Sequence, residues 1–131
     1  MNHVRAIAAL ATAVALALPA AASADTNPTR ASISSTANWV SPQQINLEIA
    51  LSCEEGLFYS VFGRVLQQQG PFMQLFGSGF TSGECTGRHQ RVALSVFQFS
   101  FPGWQLGEAL ADVSVCAFTC DSAARSIRIV L

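Results

Sequence analysis

Few side chains in this 131-residue chain could do chemistry. Beyond the first residues the sole histidine is His89, set in the polar run Gly87-Arg88-His89-Gln90-Arg91. A Ser-His-Asp arrangement would have to draw on it as the base. The nearest serine motif, Phe76-Gly77-Ser78-Gly79-Phe80, lacks the Gly-x-Ser-x-Gly spacing and the strand-to-helix context that presents such a nucleophile. It is not a dinucleotide fingerprint either, because the next glycine falls at Gly83. Glu54 and Glu55 are adjacent, and adjacent side chains on an extended chain point apart, which makes them a poor acid-base pair. His89 therefore reads as a solvated loop residue, with Arg88 and Arg91 suited at most to a carboxylate or sulfate. The expectation is a protein that is not an enzyme and holds no cofactor.

The four cysteines are the other reactive groups. In a short exported chain they read as two disulfides. Cys53 continues the apolar row of its strand, whereas Cys116 shares a face with Asp112 and Ser114, so the expected pairs are Cys53 with Cys85 and Cys116 with Cys120. Zinc is the rival, but there is no Cys-x-x-Cys spacing and His89 lies far off in sequence, so no metal is expected.

Export is read from the amino terminus. His3 and Arg5 precede an apolar run from Ala6 to Leu18, then Pro19 and the small residues Ala22-Ser23-Ala24, the layout of a secretory signal peptide over residues 1–24. Residues 25–131 then form a single domain. No later stretch is apolar for long enough to span a membrane. Six arginines against eight acids leave the mature chain at about −2, no footprint for nucleic acid. Lysine is absent altogether.

The elements that must position these groups alternate with period two. Ile45, Leu47, Ile49, Leu51 and Cys53 form one apolar row, with Asn46, Glu48 and Ser52 opposite, as in a half-buried strand. Further strands are expected over 31–40, 57–66, 72–85, 91–101, 104–117 and 126–131. The fourth should bend or bulge near Gly77 and Gly79, and the fifth should change its buried face part-way, with Phe97, Phe99 and Phe101 in a second row. No stretch has a helical period. The fold class expected is all-β, an immunoglobulin-like antiparallel β-sandwich of about seven strands with two disulfides.

A resemblance supports that reading. Val40-Ser41 before Gln44-Ile45-Asn46-Leu47, Leu51-Ser52-Cys53, Gly77-Ser78-Gly79 leading to Glu84-Cys85-Thr86-Gly87, Phe101-Pro102-Gly103, and Cys116 to Cys120 together resemble small secreted actinobacterial proteins with an immunoglobulin-like fold. More distantly the chain is similar to the neocarzinostatin-type apoproteins, secreted all-β carriers clipped by two disulfides. Its first two cysteines are further apart than theirs, and no cleft residue carries over.

What remains is aromatic. Phe58 and Phe62 fall on the opposite face of their strand from Tyr59, Val61 and Val65, so both faces of that strand are apolar. Phe58, Phe62, Phe97, Phe99 and Phe101 thus form a candidate binding surface. Two functions are expected from it: a secreted binding or structural module that meets an unknown protein or its own copy, as a monomer or weak homodimer, or a carrier of a hydrophobic ligand in a cleft. Against both stands the reading that most of the nine phenylalanines are core.

Overall fold

The computed structural model describes residues 28–131, so the signal-peptide reading of residues 1–24 lies outside the described part. Seven strands follow in order: β1 (Arg30–Ser41), β2 (Gln44–Ser52), β3 (Phe58–Gln68), β4 (Gln74–Glu84), β5 (Gln90–Phe97), β6 (Gly107–Cys116) and β7 (Cys120–Val130). The all-β expectation and the strand number hold, but the architecture corrects the open, antiparallel immunoglobulin-like sandwich. The strands close into a barrel in the order β1-β2-β5-β4-β3-β6-β7.

Two joints close it. On one side β1 pairs antiparallel with β2, shifts register between Ile33 and Ala37, and also runs parallel to β7, from Thr36 opposite Arg128 to Asn38 opposite Val130. On the other side β4 meets β5 at the single pair Ser78 and Phe97. A two-sheet sandwich would leave those edges free.

The second joint explains the glycines of β4. Their row faces inward, and β4 pairs with β3 in unbroken register from Phe58 opposite Glu84 to Gln68 opposite Gln74, so the bulge expected near Gly77 and Gly79 is not there. A Cβ on Gly77 would strike the Trp104 ring and, at 2.7 Å, the Phe97 carbonyl oxygen; one on Gly79 would strike the Ser95 carbonyl. The glycines let β4 lie against β5 while Trp104 fills the interior behind it.

Inside, the organising row Ile45, Leu47, Ile49 and Leu51 is buried together with Val61, Val65, Leu94, Val96, Val113, Val115, Ile127 and Ile129. An interior packed with branched aliphatics is the inverse of a membrane-spanning barrel, whose lumen is polar. No helix among the described residues is long and apolar enough to cross a membrane.

Three strand limits differ from the sequence reading by three residues or more. β5 ends at Phe97 and does not change face: Gln98 is buried instead, its amide nitrogen donating to the Pro42 carbonyl at 2.5 Å and its carbonyl oxygen accepting from the Ser100 N–H at 2.6 Å. Phe99 and Phe101 are therefore loop residues. β6 starts at Gly107, leaving Trp104 in the preceding loop, and β7 starts at Cys120, so the hairpin before it is only Ala117 to Thr119.

The disulfides join Cys53 to Cys85 and Cys116 to Cys120. The first is buried, its Cα atoms 5.4 Å apart; the second closes the β6–β7 hairpin at its register pair.

Candidate aromatic binding surface

None of the nine phenylalanines is buried. This overturns the reading that put most of them in the core, and the reason is volume. The barrel is narrow, its wall on β4 is glycine, and aliphatics with Tyr59 and Trp104 already fill it. The five candidate residues do not form one surface. Phe62 and Phe97 lie on the outer face of the sheet, Phe99 and Phe101 project from a loop at one end of the barrel, and Phe58 stands at the other end of β3, opposite Glu84.

The sheet face can be laid out from register. Leu110 of β6, Leu66 of β3 and Phe76 of β4 form one cross-strand row, and Ser114, Phe62 and Phe80 form a second. Between them runs Asp112, Arg64 and Ser78, with Phe97 of β5 beyond Ser78. Phe62, Phe76, Phe80, Phe97 and Leu110 are all 43–67% exposed, so the patch is continuous and open to solvent. In its centre Arg64 Nε donates to Asp112 Oδ1 at 3.1 Å, both side chains about half exposed. The patch is aromatic at its rim and ionic in the middle, on a wall of four strands.

At one end of the barrel the β1–β2 turn, the β3–β4 loop and the β5–β6 loop come together. They are stitched by glutamine amides. Gln67, buried at the end of β3, donates to the carbonyls of Gln105 at 2.8 Å and Glu108 at 3.4 Å, and accepts from the Gln105 N–H at 3.1 Å. Gln69 donates to Gln67 Oε1 at 2.8 Å and to the Gly103 carbonyl at 2.9 Å. Trp39 Nε1 donates to the Trp104 carbonyl at 2.9 Å, and the Trp104 N–H to the Pro42 carbonyl at 2.8 Å. Held out on this frame are Phe72, Phe99 and Phe101, at 99%, 87% and 94% exposure, with Met73 and Leu106 beside them.

All three connections come from stretches of sequence without a charge, residues 31–47, 65–83 and 92–107. That signal was legible in the chain, as was Phe72 after Gly70-Pro71 at a hairpin tip, though the sequence reading passed over both. Phe76 and Phe80 were missed too, and the glycine row between them marked which face they take.

The polar candidates scatter. His89 and Arg88 are exposed in the turn after β4, whereas Ser78 sits mid-strand beside Phe97, so serine and histidine are not brought together. Arg91 pairs with Glu48 at 3.2 Å. Arg30, Arg88 and His89 line one shallow depression of about 330 Å³ beside Cys53. Among the described residues no three His, Cys, Asp or Glu side chains cluster as metal ligands would. The better-formed depressions span about 210 to 330 Å³, and none of these five has a phenylalanine in its wall.

No protein-family model matches the sequence, and no curated protein is similar to it. Solved structures that resemble it include the crystal structure of the periplasmic chaperone SfaE, with 10% identity, a TM-score of 0.39, and coverage of 76% of this chain and 55% of that one. The chain thus spans little more than half the length of that protein.

Proposed function

We propose that this chain is a secreted, non-catalytic binding module that meets a macromolecular partner through the aromatic face of β6, β3, β4 and β5. The observation that carries the proposal is that the core holds no phenylalanine, and five large apolar residues stand 43–67% exposed on one wall outside it. Exposed aromatic side chains clustered on one wall, here flanking a central ion pair, mark a macromolecular contact surface. Its aromatic rows are the residue type that dominates such contacts, and the central Arg64–Asp112 pair supplies orientation. A carrier of small hydrophobic ligands needs a concave apolar pocket, and these rings line none of the depressions described above. Export is supported by the amino-terminal residues 1–24 and by two disulfides, which persist in oxidising compartments. The resemblance to small secreted actinobacterial proteins agrees with that location.

A photoreactive phenylalanine analogue at position 62 or 80 tests the face, with the same analogue at Ala93, exposed at the far part of β5 where it pairs with Glu48 of β2, as control. One discrete adduct from 62 and 80, absent from 93 and abolished by Phe76→Ser, is expected in the native medium. Equal labelling from all three positions would remove the face from consideration.

A further inference from the structure

We infer that the loop end carrying Phe72, Phe99 and Phe101 docks on the interface of a zwitterionic lipid bilayer, inserting these three rings without spanning it. The inference uses residues apart from the sheet face, from which a Gln68–Gln74 cross-strand pair separates them.

Three observations lead to lipid. First, the rings are 87–99% exposed and sit in two loops at the barrel end, so almost nothing of the chain itself covers them. A folded partner must offer matching recesses to bury such tips. The depressions described above on a second copy of this chain are shallow, about 210 to 330 Å³, and each has at least one charged side chain in its wall, which a seated ring would desolvate. A fluid bilayer takes protrusions of any shape. Second, the three segments that build this end, 31–47, 65–83 and 92–107, contain no Asp, Glu, Lys or Arg; in register the first charged pair beyond it is Glu108 and Arg128, at the start of β6 and the end of β7, and Leu131 follows at the same end. Burial of the rings in the headgroup layer desolvates no charged side chain of these segments, and the absence of a basic cluster argues against selection of anionic lipid. Third, the loops are held before any partner arrives. Gln67, Gln69 and Gln98 satisfy the loop carbonyls with neutral amides, so little ordering entropy opposes docking.

The test uses the oxidised protein recovered from culture medium and unilamellar vesicles of phosphatidylcholine. Phe101→Trp and, separately, Phe80→Trp place an indole reporter at the loop tip and on the sheet face. The expected result is co-flotation with the vesicles that is the same at low and high salt. Brominated phosphatidylcholine should quench the emission gained by the Phe101→Trp variant and leave that gained by Phe80→Trp unquenched. Each of Phe72→Ser, Phe99→Ser and Phe101→Ser should weaken partition by about tenfold with an unchanged melting temperature. Phe62→Ser with Phe80→Ser should leave it intact. No flotation with phosphatidylcholine, flotation that requires anionic lipid and is lost in salt, or quenching of the sheet-face reporter alone would each overturn the inference. The reading of the sheet face would stand or fall separately, on its own adducts.

Discussion

The two ends of the barrel are fastened by different chemistry. At one, the buried Cys53–Cys85 disulfide ties the β2–β3 connection to the end of β4, backed by the Gly56 N–H on the Cys85 carbonyl at 3.1 Å and the Cys85 N–H on the Leu57 carbonyl at 2.7 Å. The Cys116–Cys120 bridge closes the neighbouring hairpin. The surface there mixes the charged or polar side chains Glu54, Glu55, Arg88 and His89 with the exposed rings of Phe58 and Phe118. At the other end there is no covalent tie, and the loops are joined through glutamine side chains. The difference shows how a loop end can be made stiff and apolar at once. Carboxylates and guanidinium groups would hold loops as well, but each would bring a charge to a surface that displays three naked rings. Amides satisfy the same backbone groups and remain neutral.

The contrast can be broken from either side. The largest effect is expected from Cys53→Ala with Cys85→Ala, which opens a loop of 32 residues and should cost about 3.5 kcal/mol on the chain-entropy account. Guanidinium denaturation measures it, and a loss well under half of that would mean that the polar end is held by its hydrogen bonds instead. Next comes Gln67→Ala, which strips the carbonyls of Gln105 and Glu108 and the Gln105 N–H of their partner in a buried place. About 2 kcal/mol should be lost, and amide exchange should quicken in residues 98–106 before the disulfide end responds. Uniform exchange throughout would show that the glutamines stabilise the barrel as a whole. Smaller again is Asp112→Ala, since the Arg64 pair is half exposed and worth no more than about 1 kcal/mol. A larger fall in melting temperature would make that pair part of the fold rather than of the face. The smallest change in stability, within about 0.5 kcal/mol, is expected for Phe101→Ser. A clear drop would mean that the ring packs against its own loop.

The interior was legible because it obeys a local rule. Ile45 to Leu51 alternates strictly, and its odd positions are the buried ones; the same period separated Tyr59, Val61 and Val65 from Phe58 and Phe62 without saying which row is covered, and the structure buries the first and exposes the second. Closure was not legible, since the β1–β7 pairing joins residues at opposite ends of the chain and the register shift between Ile33 and Ala37 falls among Ser34, Ser35 and Thr36, which carry no glycine or proline to mark it. The aromatic surface was read half correctly for a related reason. Alternation identifies the two faces of a strand, but it says nothing of where a strand stops, and Gln98 ends β5 by hydrogen bonding rather than by any break in pattern. Phe99 and Phe101 continued the row of Phe97 on paper and left the sheet in space. In β4 the glycines were read as a bend, when their work is to admit Trp104 and the backbone of β5.

The parallel joint of β1 and β7 also sets an order of events. Its partners, and the Arg125 Nη1 bond to the Ile33 carbonyl at 3.0 Å across 92 residues, meet only when the last strand is present. Contacts of such long range form slowly, because the closure entropy of the intervening chain must be overcome before the pairing rewards it. Strands β2 to β6 can therefore pair before the barrel closes, and closure waits on β7, the last strand described.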